Sequence, residues 1–114
     1  MTENFPLPES EFSPEEFKLI ALLKERGVED LETRAAYDAW FEGEQRVSDE
    51  KAERGEVTTA NVEFQMKVGA LQEAAGFLDA AADTFREAAY MAEQNGAPEE
   101  LKLKAIAAFQ KLSG

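Results

Sequence analysis

The chain has 114 residues and carries 24 acidic against 12 basic side chains, a formal charge of −12, with no cysteine and no histidine. That length fits one domain with a single core, and a charge this negative repels phosphate backbones, which argues against a nucleic-acid partner. Without thiolate or imidazole there is no disulfide framework, no Ser-His-Asp triad and no cysteine- or histidine-built metal site.

The first eleven residues hold Pro6, Pro8 and three glutamates and show little periodicity. They read as a flexible acidic tail that lays Phe5 and Leu7 against the domain. They lack the basic start and apolar run of a secretory signal. No stretch approaches the ~20 apolar residues that span a bilayer. The expectation is a cytoplasmic protein with no membrane partner.

Residues 12–114 read as one all-α domain of about five helices joined by short turns. Ser13-Pro14-Glu15-Glu16 is a capping box, with Pro14 at the first helical position and Phe12 and Phe17 at the spacing of a hydrophobic staple. This predicts a first helix to about Arg26, with Phe17, Ile20, Ala21, Leu23 and Lys24 near one side and Gly27 as its stop. A second helix is expected from Asp30 to as far as Arg54. Its stripe is Ala36, Trp40, Gly43 and Val47, joined by Tyr37 and Phe41. Gly43 costs about 1 kcal/mol against alanine in mid-helix, tolerable if another helix crosses closely there. The run Ser48–Arg54 has little to bury, so this end is expected to project or fray.

Thr58, Thr59 and Asn61 offer caps for a third helix over about 60–75. It has two stripes: Phe64, Val68, Leu71 and Ala75, and beside it Val62, Met66 and Gly69 or Ala70. Two stripes predict a helix with neighbours on both sides. Gly76 breaks it. The fourth helix, 78–95, presents Leu78, Ala81, Ala82, Phe85, Ala88, Ala89 and Ala92 and stops at Gly96. Pro98-Glu99-Glu100 opens a fifth, with Leu101, Ala105, Ala108 and Leu112 in line and Ile106 and Phe109 beside them. No segment alternates with period two for long enough to make a strand.

Residues 62–95 resemble one tetratricopeptide repeat, a helix–turn–helix of about 34 residues. Val68-Gly69 stands where that family has its Leu-Gly pair, Gly76 at its turn, and Ala81, Phe85 and Ala88 on its small–aromatic–small pattern. Gln65 and Gln72 replace aromatics of the first helix, Glu93 replaces the closing proline, and Pro98 comes five residues late. The match covers about a third of the chain. One hairpin cannot bury both of its faces. Helices 1 and 2 are therefore expected on one side and helix 5 on the other, or else a second copy of the chain completes the array as a homodimer.

The resemblance implies a peptide-binding groove lined from the first helix of the hairpin, here by Glu63, Met66, Lys67, Ala70 and Glu73. Met66 would give an adaptable apolar contact and Lys67 would pair an acidic group. Flanked by Glu63 and Glu73, the groove reads as suited to a basic or apolar peptide. Tyr37 and Trp40 belong to the most prominent apolar cluster, which reads as core and alternatively as an interface anchor.

Catalytic chemistry is thin. Ser13 is accounted for as a cap, and Ser10, Ser48 and Ser113 lie in tail-like or charged stretches. Asp79/Asp83 and Glu25/Glu29 are carboxylate pairs of the sort that arise readily in an acidic chain. No catalytic, cofactor-binding or metal-binding residues are assigned. The expected function is a non-enzymatic protein–protein or protein–peptide interaction module. The alternatives are a structural or regulatory homo-oligomer and an acidic inhibitor that covers a basic target surface.

Overall fold

A computed structural model describes residues 12–113 and shows an all-α fold. Its helices are α1 (Pro14–Arg26), α2 (Leu31–Lys51), α3 (Val57–Ala74), α4 (Leu78–Asn95) and α5 (Glu99–Ser113). The tail reading of residues 1–11, with Phe5 and Leu7, lies outside the described residues.

The start of α1 follows from its sequence. The Ser13 hydroxyl accepts the Glu16 amide at 3.2 Å, and the Glu16 carboxylate accepts the Ser13 amide at 2.8 Å. Both donors would otherwise lack an intrahelical partner. The Phe12 and Phe17 rings meet edge to face at 5.8 Å, completing the staple. The buried face of α1 is Glu16, Leu19, Ile20 and Leu23. Leu19 therefore replaces Ala21 in the expected stripe, and Phe17 stays 41% exposed.

Asp30 caps α2, accepting both the amide and the hydroxyl of Thr33. The inward line of α2 runs from Thr33 through Tyr37 and Trp40 to Ser48, and Val47 points outward. Expectation and structure part here. The segment after Val47 does not fray: Ser48 is 6% exposed, and its hydroxyl donates to the Ala60 carbonyl at 3.2 Å. A small polar side chain with a backbone acceptor lets two helices close where an apolar stripe has run out. Gly43 is no crossing point either, since a Cβ there would meet nothing within 4 Å.

Between α2 and α3 the chain turns through a wide, π-like segment, Ala52–Glu56, in which Gly55 takes φ +92°. A left-handed φ costs glycine little and other residues more, so this is the place the reversal occurs. α3 then begins at Val57, earlier than expected. Thr58, Thr59 and Asn61 lie inside it rather than capping it.

α3 is the middle layer. One of its stripes faces α1 and α2: Leu71 and Ala75 pack with Leu19, Ile20 and Leu23, while Phe64 meets Phe41 at 5.1 Å. The other faces α4 and α5, where Val62 packs with Ala88, Ala92 and Ala105. Gly69 explains the close approach of α4: a Cβ there would lie 2.7 Å from the Phe85 ring. Phe85 takes the space that a side chain at 69 would need, and is itself 3% exposed. Alanines at 81, 88 and 92 complete the buried face of α4, and Leu78 is half exposed instead of joining it. Gly96, left-handed at φ +70°, ends α4 and donates its amide to the Ala92 carbonyl. α5 contributes only Ala105 to the fully buried core. Its Leu101, Ile106, Ala108, Phe109 and Leu112 are half buried.

Candidate functional site

α1 and α5 both pack against α3. Beside α3 they leave a groove of about 930 Å³, large enough for several side chains of a bound segment. Its lining follows helical spacing on each element. α3 provides Glu63, Met66, Lys67, Ala70, Glu73 and Ala74; α1 provides Phe17, Ile20 and Lys24, with Phe12 just before it; α5 provides Leu101, Lys104 and Ala108. Phe85 of α4 reaches the same space beside Gly69. All five α3 residues expected to face a groove are gathered here.

Tyr37 and Trp40 are not. Both are half buried against the α1–α3 core, with their rings 5.8 Å apart. The Trp40 indole N–H donates to Glu16 Oε2 at 2.8 Å. An indole whose polar end is satisfied within the fold offers little to a partner, so these residues join the core. Burial, followed by the neighbouring Asp38 carboxylate, pushes the Tyr37 phenol above its ordinary pKa.

Lys67 also differs from expectation. Its ammonium lies 3.0 Å from Glu44 and 3.6 Å from Glu16, linking α3 to α2 and α1. Burial by itself would lower the pKa of this lysine; Glu44 and Glu16 outweigh burial and raise it. Lys67 is therefore a structural cation at the edge of the groove and not a free contact for an acidic ligand. Glu16, 4% exposed, is the opposite pole of the same cluster. Burial pushes its carboxyl up, but the Ser13 amide, the Trp40 indole and Lys67 together hold it below the usual carboxylate value.

The charge balance of the groove departs from the rest of the molecule. Glu63 is 3.4 Å from Lys51, and Glu73 is 2.8 Å from Lys111, so both acidic lining residues already face lysines. Lys24 on α1 and Lys104 on α5 have no ion-pair partner among the described residues. Among the described residues, a chain of charge −12 thus carries a groove whose unpaired lining charges are the cations Lys24 and Lys104. Composition pointed the other way, because it could not show which carboxylates were already matched.

The carboxylate pairs singled out in the sequence do not form a site. Asp83 pairs with Arg86 on the exposed side of α4, and Glu25 and Glu29 are exposed. Among the described residues no cluster of three or more carboxylates is placed to hold a cation, and no helix is long and apolar enough to cross a membrane.

The described residues form an all-α helical-layer fold with an apolar-floored groove beside α3. No family model, no curated protein and no solved structure matches the chain.

Proposed function

We propose that this protein is a non-enzymatic interaction module that binds a segment of another protein in the groove along α3. The observation that carries the reading is the shared lining. The five α3 residues picked out by a repeat-like pattern stand together in one groove, walled by apolar and basic residues of α1 and α5. Met66, Ala70 and Ala74 offer an apolar floor, the kind of surface on which a bound side chain loses contact with water at about 25 cal/mol per Å².

A tetratricopeptide-like packing of α3 and α4 fits this reading. It is supported by the close approach of Gly69 to Phe85, by Gly76 in the intervening turn at φ +92°, and by the buried Ala81, Phe85 and Ala88. α1 and α2 cover one side of that hairpin and α5 covers the other, so a single repeat is capped within one chain.

The test is retention of partners from a lysate by the wild type and by two variants, Met66→Glu and Lys104→Glu. Met66→Glu places a carboxylate in the floor, and Lys104→Glu reverses a wall charge that has no described partner. Lys67→Glu is unsuitable because it would also break the contacts to Glu16 and Glu44. The reading requires that specifically retained proteins be lost from both variants. Equal retention by all three proteins would exclude the groove as the binding surface.

A further inference from the structure

The described structure begins at Phe12, and Phe12 is itself a lining residue of the groove. The eleven residues before it, Met1-Thr2-Glu3-Asn4-Phe5-Pro6-Leu7-Pro8-Glu9-Ser10-Glu11, therefore join the fold at the edge of that groove. Their chemistry matches it. Phe5 and Leu7 alternate as bulky apolar residues and would fall on one side of an extended chain. Pro6 and Pro8 disfavour a helix and also bias the residues before them to extended backbone. Glu3, Glu9 and Glu11 supply carboxylates, while Lys24 and Lys104 are the lining cations without a described partner.

We propose that the groove is occupied in cis by the chain's own N-terminal segment, residues 3–11, acting as a built-in competitor for the partner. The proposal rests on the groove being the binding surface. The occupant places Phe5 and Leu7 over Met66 and Ala70, and its carboxylates near Lys24 and Lys104.

Reach is sufficient. An extended chain advances about 3.3 Å per residue, so Leu7 lies up to about 16 Å from Phe12, and Phe5 up to about 23 Å. The floor from Glu63 to Glu73 is about 15 Å long at 1.5 Å per residue. Affinity need not be high, because a short tether holds a ligand at an effective concentration on the order of millimolar. A contact too weak to survive as a separate peptide is then well populated, and an external partner must displace it.

The experiment uses the full chain, the full-chain double variant Phe5→Ser/Leu7→Ser, and a synthetic peptide of residues 1–11. Both substitutions precede α1 and its capping box, so the helices are untouched. Backbone amide NMR of the two proteins is compared, and each is then titrated with the peptide. The proposal requires shifts at Met66, Ala70, Leu101 and Lys104 between wild type and variant. It also requires the peptide to return those signals toward wild-type positions in the variant, with an apparent affinity at least tenfold tighter than for wild type. Lys24→Glu/Lys104→Glu in the variant background should weaken the peptide by about tenfold, the sum of two exposed charge pairs reversed.

Equal peptide binding at the groove of both proteins would overturn the proposal and leave the groove reading standing. No peptide-induced shift at the groove of either protein would overturn it as well; partner retention by the Met66→Glu variant then judges the groove separately. Contacts between differently labelled copies in a mixed sample would replace the cis segment with that of a second chain.

Discussion

Replacing Glu16 with alanine removes the one side chain that joins three helices at a buried carboxylate. In the wild type its oxygens accept the Ser13 amide and the Trp40 indole N–H, each at 2.8 Å, and lie 3.6 Å from Lys67. Losing the capping interaction costs about 1 kcal/mol at an accessible helix start. The half-buried indole loses a bond to an ionised acceptor, worth about 1.5–3 kcal/mol. Relief of the carboxylate's own desolvation offsets part of this, and Lys67 keeps Glu44 as a partner, so the net expectation is a loss of about 2–3 kcal/mol. Trp40 is the only tryptophan, so urea unfolding can be followed by its fluorescence, with helicity as a second probe. Glu15→Ala, one residue away and exposed, is the control and should stay within about 0.5 kcal/mol of wild type. The pH dependence carries the same sign. The folded carboxyl holds its proton less tightly than the unfolded one, so its contribution is complete above the ordinary glutamate pKa. It is lost as pH falls through the lower folded value. Glu16→Gln should show a flatter acid limb in a stability-against-pH profile. A Glu16→Ala variant as stable as the Glu15→Ala control would refute the account of this cluster.

Three further outcomes follow from the packing. Gly69→Ala should destabilise by about 1–3 kcal/mol in denaturant, because its Cβ must displace a buried Phe85 ring, whereas Gly43→Ala should stabilise by about 0.5–1 kcal/mol, its Cβ entering open space. Ser48→Ala should cost about 1 kcal/mol, and hydrogen exchange should show amides 48–51 protected like the rest of α2; rapid exchange there would restore the frayed end that composition suggested. Lys104→Glu should leave the unfolding midpoint nearly unchanged, within about 0.5 kcal/mol, while Lys67→Glu should lower it markedly through repulsion with Glu16 and Glu44.

The helices were readable because their ends carry local chemistry. Ser13-Pro14-Glu15-Glu16, Asp30, Gly76 and Gly96 each act within a few residues of their own position, and the structure uses all four near the expected boundaries. The two stripes of α3 were equally legible, since two apolar lines on one helix require two neighbours. The junction of α2 with α3 was not. Its closure depends on a serine hydroxyl reaching a carbonyl twelve positions on and on a wide turn around Gly55, neither of which leaves an apolar signature. The groove was legible on α3 alone. Its walls come from Phe17 and Lys24 on α1 and Lys104 on α5, residues that meet only in three dimensions. The same limit misdirected Lys67, which looked available in sequence and is paired with Glu44 and Glu16 on two other helices. Trp40, read first as core, packs against the α1–α3 core, and only its bond to Glu16, 24 positions earlier, was hidden.

The central claim is that another protein's segment lies along α3. It is tested most directly by photo-crosslinking from a benzophenone side chain introduced at Ala70, in the groove floor, against the same group at Arg86 on the exposed face of α4. The account predicts a discrete protein adduct from position 70, absent from position 86 and suppressed by Met66→Glu. Adducts of equal yield from both positions, or an adduct from position 86 alone, would contradict it.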